Sequence, residues 1–143
     1  MTDAGKTFES AGLRGKRGLI VCFYQEDGST ASIVKTCALR DRFDQLDEKG
    51  YTVVGVSGDS AETHRAFRAK YALPFDLIGD ADGAIARRFG IVLEHKELVG
   101  KPRLPAGGET FVIDENGKIV AHVKGKDPDD HARDVLHAVG VAY

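Results

Sequence analysis

The chain has no tryptophan, one methionine and only two cysteines, Cys22 and Cys37, among its 143 residues. Two thiols cannot build a disulfide framework, and no Cys/His spacing has the pattern of a zinc site. Long apolar runs are missing as well. The longest, LIVCFY from Leu19 to Tyr24, falls far short of the ~20 residues needed to cross a bilayer. There is no excess charge of one sign: 20 basic and 22 acidic side chains leave a formal charge of −2. That balance offers no field for nucleic acid and no attraction to an acidic membrane surface. The opening stretch MTDAGKTFESAGLRG lacks the apolar segment of a secretory signal. The expectation is a cytoplasmic protein in a reducing compartment, with neither a nucleic-acid nor a membrane partner.

What is present suits one soluble globular domain over residues 1–143, with 42% hydrophobic and 29% charged residues and no repeat or low-complexity tract. Leu19–Tyr24 has the unbroken apolar pattern of a strand buried on both faces. Helix signals run from Ser29 or Thr30 to about Glu48 and end at Gly50. The apolar positions of that stretch form two stripes, Ile33/Val34/Cys37 and Leu39/Phe43/Leu46. One straight helix with a single buried face does not explain both, so a kink or a wide buried surface is expected. YTVVGVSGDS (Tyr51–Ser60) predicts a second buried strand and then a helix capped by Asp59 or Ser60. LPFDLIGD (Leu73–Asp80) predicts a short third strand, and Ala84–Phe89 a helix closed by Gly90. GKPRLPAGG (Gly100–Gly108) reads as loop. ETFVIDENGKIVAHV (Glu109–Val123) predicts a hairpin with a type I′ turn at Asn116-Gly117. A last helix is expected from Asp129 or Asp130 to Val139.

The order β-α-β-α-β-α, hairpin, helix predicts an α/β fold: a central mixed sheet with helices on both faces. Among compact folds it matches the thioredoxin-like arrangement. Chemistry there sits at the N-terminus of the helix after the first long strand, where Ser32 lies in CFYQEDGSTASIVKTCALRDRF (Cys22–Phe43).

From Leu13 onward the chain resembles the peroxiredoxins, in particular the bacterioferritin comigratory protein (PrxQ) branch. The similarity is carried by RGKRGLIVCFY, ALRD (Ala38–Asp41), GVSGDSAETHRAFRAKYALPFDLIGDADGAIARRFG (Gly55–Gly90) and ETFVIDENGKIV. The resemblance implies a thiol peroxidase that needs no cofactor, takes a hydroperoxide as substrate and is regenerated by a thioredoxin-like reductant. It also implies a monomer or weak dimer. A thiolate in the first turn of the helix would attack the peroxide and become a sulfenic acid, which a second cysteine resolves.

The family's Pro-x-x-x-Thr-x-x-Cys falls here on Gln25, Ser29 and Ser32. Ser29 holds the Thr position, and Ser32 holds the position of the peroxidatic cysteine. Cys37 holds the resolving position. Lys35 stands where the branch commonly has Glu, and the late Arg falls at about Gly108, with Arg103 in the same loop but out of register. The sequence before Leu13 leaves little for the hairpin that usually opens the fold. A single Cys-to-Ser change would resemble a deliberate substitution that traps the reduced form. Here Pro, Cys, Glu and Arg are all replaced together, which favours natural divergence.

Plainer roles stand beside these. One of Ser29, Thr30 and Ser32 is expected to N-cap the helix while the others face water. Cys37 is expected to pack as a small hydrophobe on the Ile33/Val34 stripe, and Cys22 in the strand core. The five histidines show no ligand spacing, and His64 is read as structural. Lys35 opposes the helix dipole. With Thr30 and the neighbouring hydroxyls it could hold a small oxyanion; a solvated lysine is the expectation.

Overall fold

Strand β1 (Gly18–Phe23) is buried at every position and is the middle strand of a five-stranded sheet. The computed structural model describes residues 15–91, 93–95, 102–104 and 107–142. After β1 come α1 (Thr30–Asp41), α2 (Phe43–Glu48), β2 (Tyr51–Ser57), α3 (Ala61–Tyr71), β3 (Asp76–Gly79) and α4 (Ala84–Arg88). Then follow β4 (Glu94–His95), β5 (Pro102–Arg103), β6 (Glu109–Ile113), β7 (Ile119–Lys124) and α5 (Pro128–Ala138). The sheet order is β3-β2-β1-β6-β7. β1, β2 and β3 pair in parallel, which requires the crossovers that α1/α2 and α3 supply. β6 and β7 add antiparallel strands on the other side. The expected mixed sheet of a thioredoxin-like α/β fold is therefore present.

The alternation of β1 accounts for the two faces. Ile20, Cys22 and Tyr24 join one apolar cluster with Leu39, Leu46, Phe67 and Leu136 from α1, α2, α3 and α5. Leu19, Val21 and Phe23 join a second with Phe111, Ala86 and Ile91. Both faces are covered, which is why the run is continuously apolar rather than alternating.

The long helix breaks at Arg42 (φ −113°, ψ 13°), giving α1 and α2. The break lets Leu39 and Leu46 both reach the core, as the two stripes required. Ser60 caps α3 by accepting from the Thr63 amide. α5 starts earlier than expected, because Asp127 caps it and Pro128 takes the first turn, where a missing N–H costs nothing.

Two expectations fail locally. The hairpin turn is not type I′, which needs positive φ at both central residues; only Gly117 has it, at 82°. Asp114 organises the turn instead, its Oδ1 accepting from the amides of Asn116 and Lys118 at 2.9 Å each. Gly100–Gly108 is also not loop throughout, because Pro102–Arg103 pairs antiparallel with Glu94–His95. The opening residues before Leu13, and the hairpin question they raise, lie outside the described residues.

Candidate functional site

The C-terminal end of β1 delivers the chain through Tyr24–Gly28 to the first turn of α1. Ser29 is the N-cap, its Oγ accepting from the Ser32 amide at 3.2 Å. That satisfies one of the N–H groups which a helix start otherwise leaves open. Ser32 does not face water as expected; it is 1% exposed. Its hydroxyl donates back to the Ser29 carbonyl at 2.9 Å and accepts from Ser29 Oγ at 2.9 Å. The Ser32 hydroxyl is thus engaged in the cap as both donor and acceptor. Thr30 is exposed.

Lys35 overturns its expectation most clearly. It is 2% exposed, not solvated, and its Nζ donates to the Gly107 carbonyl at 2.9 Å. Burial holds its pKa below the usual lysine value, and neighbouring Cys22 acts weakly against that shift. On the same side of the sheet Thr110 pairs with Cys22 across β1 and β6. Thr110 Oγ1 lies 2.8 Å from His131 Nε2, and His131 Nδ1 lies 2.8 Å from the Gly125 carbonyl. A carbonyl only accepts, so Nδ1 carries the proton and Nε2 accepts from Thr110. Burial lowers the His131 pKa to about 4, with the Lys35 charge adding to the effect, so the ring is neutral near pH 7.

The polar contacts explain why α1 buries Ser32, Lys35 and Thr36 while Ile33, Val34 and Cys37 are only partly covered. The helix turns a polar face toward a polar patch. Cys37 is accordingly not a buried core residue. Its thiol pKa is raised, chiefly by desolvation, which leaves less thiolate than an open thiol would have. Cys22 is 1% exposed and does pack in the core. Both cysteines are unpaired. Thr30 and Lys35, five positions apart, lie on different sides of α1, the first exposed and the second buried.

On the other side of the helix start is a second polar group. Asp27 accepts from Tyr24 Oη at 2.6 Å and bonds His64 Nδ1 at 2.6 Å, while Asp59 Oδ2 accepts from the Asp27 amide and Ser57 Oγ at 2.7 Å each. His64 is wholly buried, as its structural role requires, and its Nε2 has no partner among the described residues. One ligand atom from each of Asp27, Asp59 and His64 lies within 4.8 Å of the others. The Asp27 oxygens and Asp59 Oδ2 are already taken up by protein groups, which makes this a hydrogen-bonded brace. The sequence reading missed it. The GVSGDSAETH segment held Asp59 and His64, but their partner Asp27 lies more than thirty positions earlier.

Gln25, at the family's Pro position, donates to the Leu104 carbonyl at 3.1 Å, a bond proline cannot make. Gly108 has φ +68°, and an added Cβ would fall 2.5 Å from the Phe23 carbonyl oxygen and closer still to Lys35 Nζ. Gln25, Lys35 and Gly108 therefore all meet in the segment that leads into β6. The side chain of Arg103 lies outside the described residues.

A five-stranded mixed sheet with a capped helix mouth after its central strand, and a cysteine, Cys37, further along that helix, is the arrangement of the thioredoxin-like fold class. Within that class, residues 1–122 match the AhpC/TSA family, and the chain belongs to that family. It is 34% identical, over 94% of its length, to a Coxiella burnetii protein named as a peroxiredoxin bcp, of which it covers 88%. It is 36% identical over 80% of its length to the chloroplastic peroxiredoxin Q of Sedum lineare, of which it covers only 58%. Among solved structures it superposes on the Xanthomonas campestris bacterioferritin comigratory protein with a TM-score of 0.84 at 28% identity, covering 96% of this chain and 87% of that one. The Mycobacterium tuberculosis peroxidoxin BcpB shares the fold at a TM-score of 0.84 and 24% identity, over 96% of this chain and 88% of that one.

Proposed function

We propose that this peroxiredoxin-family protein is impaired or inactive as a hydroperoxide reductase by the family's route. In that route a thiolate attacks one peroxide oxygen, the O–O bond breaks, and the departing alkoxide takes up a proton while sulfur becomes a sulfenic acid. Serine has no accessible alkoxide near neutral pH and no reversible oxidation ladder. The observation that carries this reading is the state of Ser32: buried, its hydroxyl donating to the Ser29 carbonyl and accepting from Ser29 Oγ. Cys37 is a poor substitute, since desolvation raises its pKa. If the chain does turn over, its substrate would be a hydroperoxide and its reductant a thioredoxin-like protein. The unpaired Cys22 and Cys37 suit a reducing compartment such as the cytoplasm.

The test is peroxide consumption with a thioredoxin system by the protein, by Ser32→Cys and by Cys37→Ser. The expected result is no turnover by the protein. Sustained turnover that disappears in Cys37→Ser would show that Cys37 has taken over the nucleophile's role.

A second reading, a non-catalytic paralogue that uses the fold to bind a partner or small anion, is favoured by Lys35, a cation enclosed behind the helix start.

A further inference from the structure

Strand β7 stands at the edge of the five-stranded sheet, with β6 on one side and, among the described residues, no strand on the other. The Gly125 amide donates inward to the Gly108 carbonyl at 2.9 Å. Inward-bonded positions alternate along an antiparallel ladder, so Val123 and Ala121 also bond to β6. The amides and carbonyls of His122 and Lys124 then point away from β6, out of the open edge. Near its start β7 carries an extra residue, because Ile113 faces Ile119 while Val112 faces Ala121. The bulge leaves Val120 unpaired. Ile119 and Val120 are the exposed large hydrophobics of the described residues, at 51% and 50%.

Two cations bracket this apolar pair and the open backbone. Lys118 and Lys124 are exposed and have no ion pair among the described residues, whereas Lys126 beyond them is held by Asp134. The acidic side chains close by in the hairpin are engaged: Asp114 accepts from the turn amides, and buried Glu109 bonds His122. A second copy laid antiparallel on β7 would set Lys118 of each strand toward Lys124 of the other. Like charges across a strand pair are destabilising, and edge lysines guard against such pairing. A segment with acidic ends and an apolar centre meets the edge without that conflict.

We propose that the open edge of β7 takes an extended, acid-flanked apolar segment of another protein as an added strand. The outward groups of His122 and Lys124 supply main-chain bonds, and Ile119 and Val120 supply apolar contact. Lys118 and Lys124 select the partner by charge. The proposal goes beyond the paralogue reading by naming a surface and a partner chemistry, and it does not depend on what position 32 can do.

The test uses the full chain and short synthetic peptides with an alternating valine–threonine centre, ended by glutamates in one and by lysines in the other. Binding is followed by fluorescence anisotropy, and the edge itself by amide hydrogen exchange. The glutamate-ended peptide should bind and slow exchange at the His122 and Lys124 amides. At low salt it should bind more tightly than the lysine-ended peptide by about tenfold or more. Lys118→Glu/Lys124→Glu, checked for an unchanged melting temperature, should invert that preference. Equal binding of the two peptides, no binding by either, or protection confined to another element overturns the proposal. Sedimentation of the chain alone should give a monomer. A dimer that protects the same two amides would assign the edge to a second copy and overturn the proposal as well.

Discussion

Two polar groups flank the start of α1, and they have fared differently. On one side Tyr24, Asp27, Ser57, Asp59 and His64 form a brace of short bonds with no reactive group among them. On the other, Lys35 donates to the Gly107 carbonyl beside Gly108, and Thr110 bonds His131. The brace ties the β1–α1 loop to β2 and α3 and so holds the fold. The second group buries a lysine and a neutral histidine behind α1. Two differently built polar groups thus flank one capped helix start.

That comparison is open to attack at three points, with effects of decreasing size. The largest is expected in the brace. Asp27→Ala removes one partner of buried Tyr24 Oη and the partner of His64 Nδ1, leaving His64 with neither ring nitrogen bonded among the described residues. Urea unfolding should show a loss of about 3 kcal/mol or more. A loss near zero would mean that the brace is not what holds the loop.

On the other side the handle is pH. His131 titrates near 6.5 when unfolded and near 4 when folded, so as acid is added the unfolded chain takes its proton first. The stability from neutral His131 is complete above the unfolded pKa and declines as pH falls toward the folded one. The expected loss between pH 7 and pH 5 is on the order of 2 kcal/mol, and His131→Phe should flatten that part of the profile. The smallest effect belongs to the cap between the two groups. Ser29→Ala should cost about 1 kcal/mol, and Ser29→Thr should recover most of it.

The same contrast explains how much was legible in the sequence. Strand β1 announced itself because six consecutive positions are apolar and both its faces are covered. The Ser60 cap, the break between α1 and α2, and the close of α4 at Gly90 were also written locally, in residues that act on their immediate neighbours. Ser32 and Lys35 were not legible, because burial of a polar side chain is decided by what stands opposite. The partner of Lys35, Gly107, lies more than seventy positions away, while the Ser32 hydroxyl turns back onto Ser29. Helix periodicity favoured Ile33, Val34 and Cys37 as one inner stripe, but they are only partly covered, and α1 buries Ser32, Lys35 and Thr36 together with Ala38 and Leu39. The Asn116-Gly117 pair misled for a related reason. Asp114, just upstream, captures the turn with its own carboxylate.

The most direct measurement is a count of peroxide equivalents destroyed per protein molecule when hydrogen peroxide is added in successive portions with a thioredoxin system present, with sulfenic acid trapped chemically and located by peptide mass spectrometry. The expected result is that loss stays at or below about one equivalent, with residue 32 unmodified and any adduct confined to Cys37. Consumption of many equivalents, with a sulfenic acid forming and being reduced in each cycle, would contradict the claim that the alcohol at position 32 closes this route.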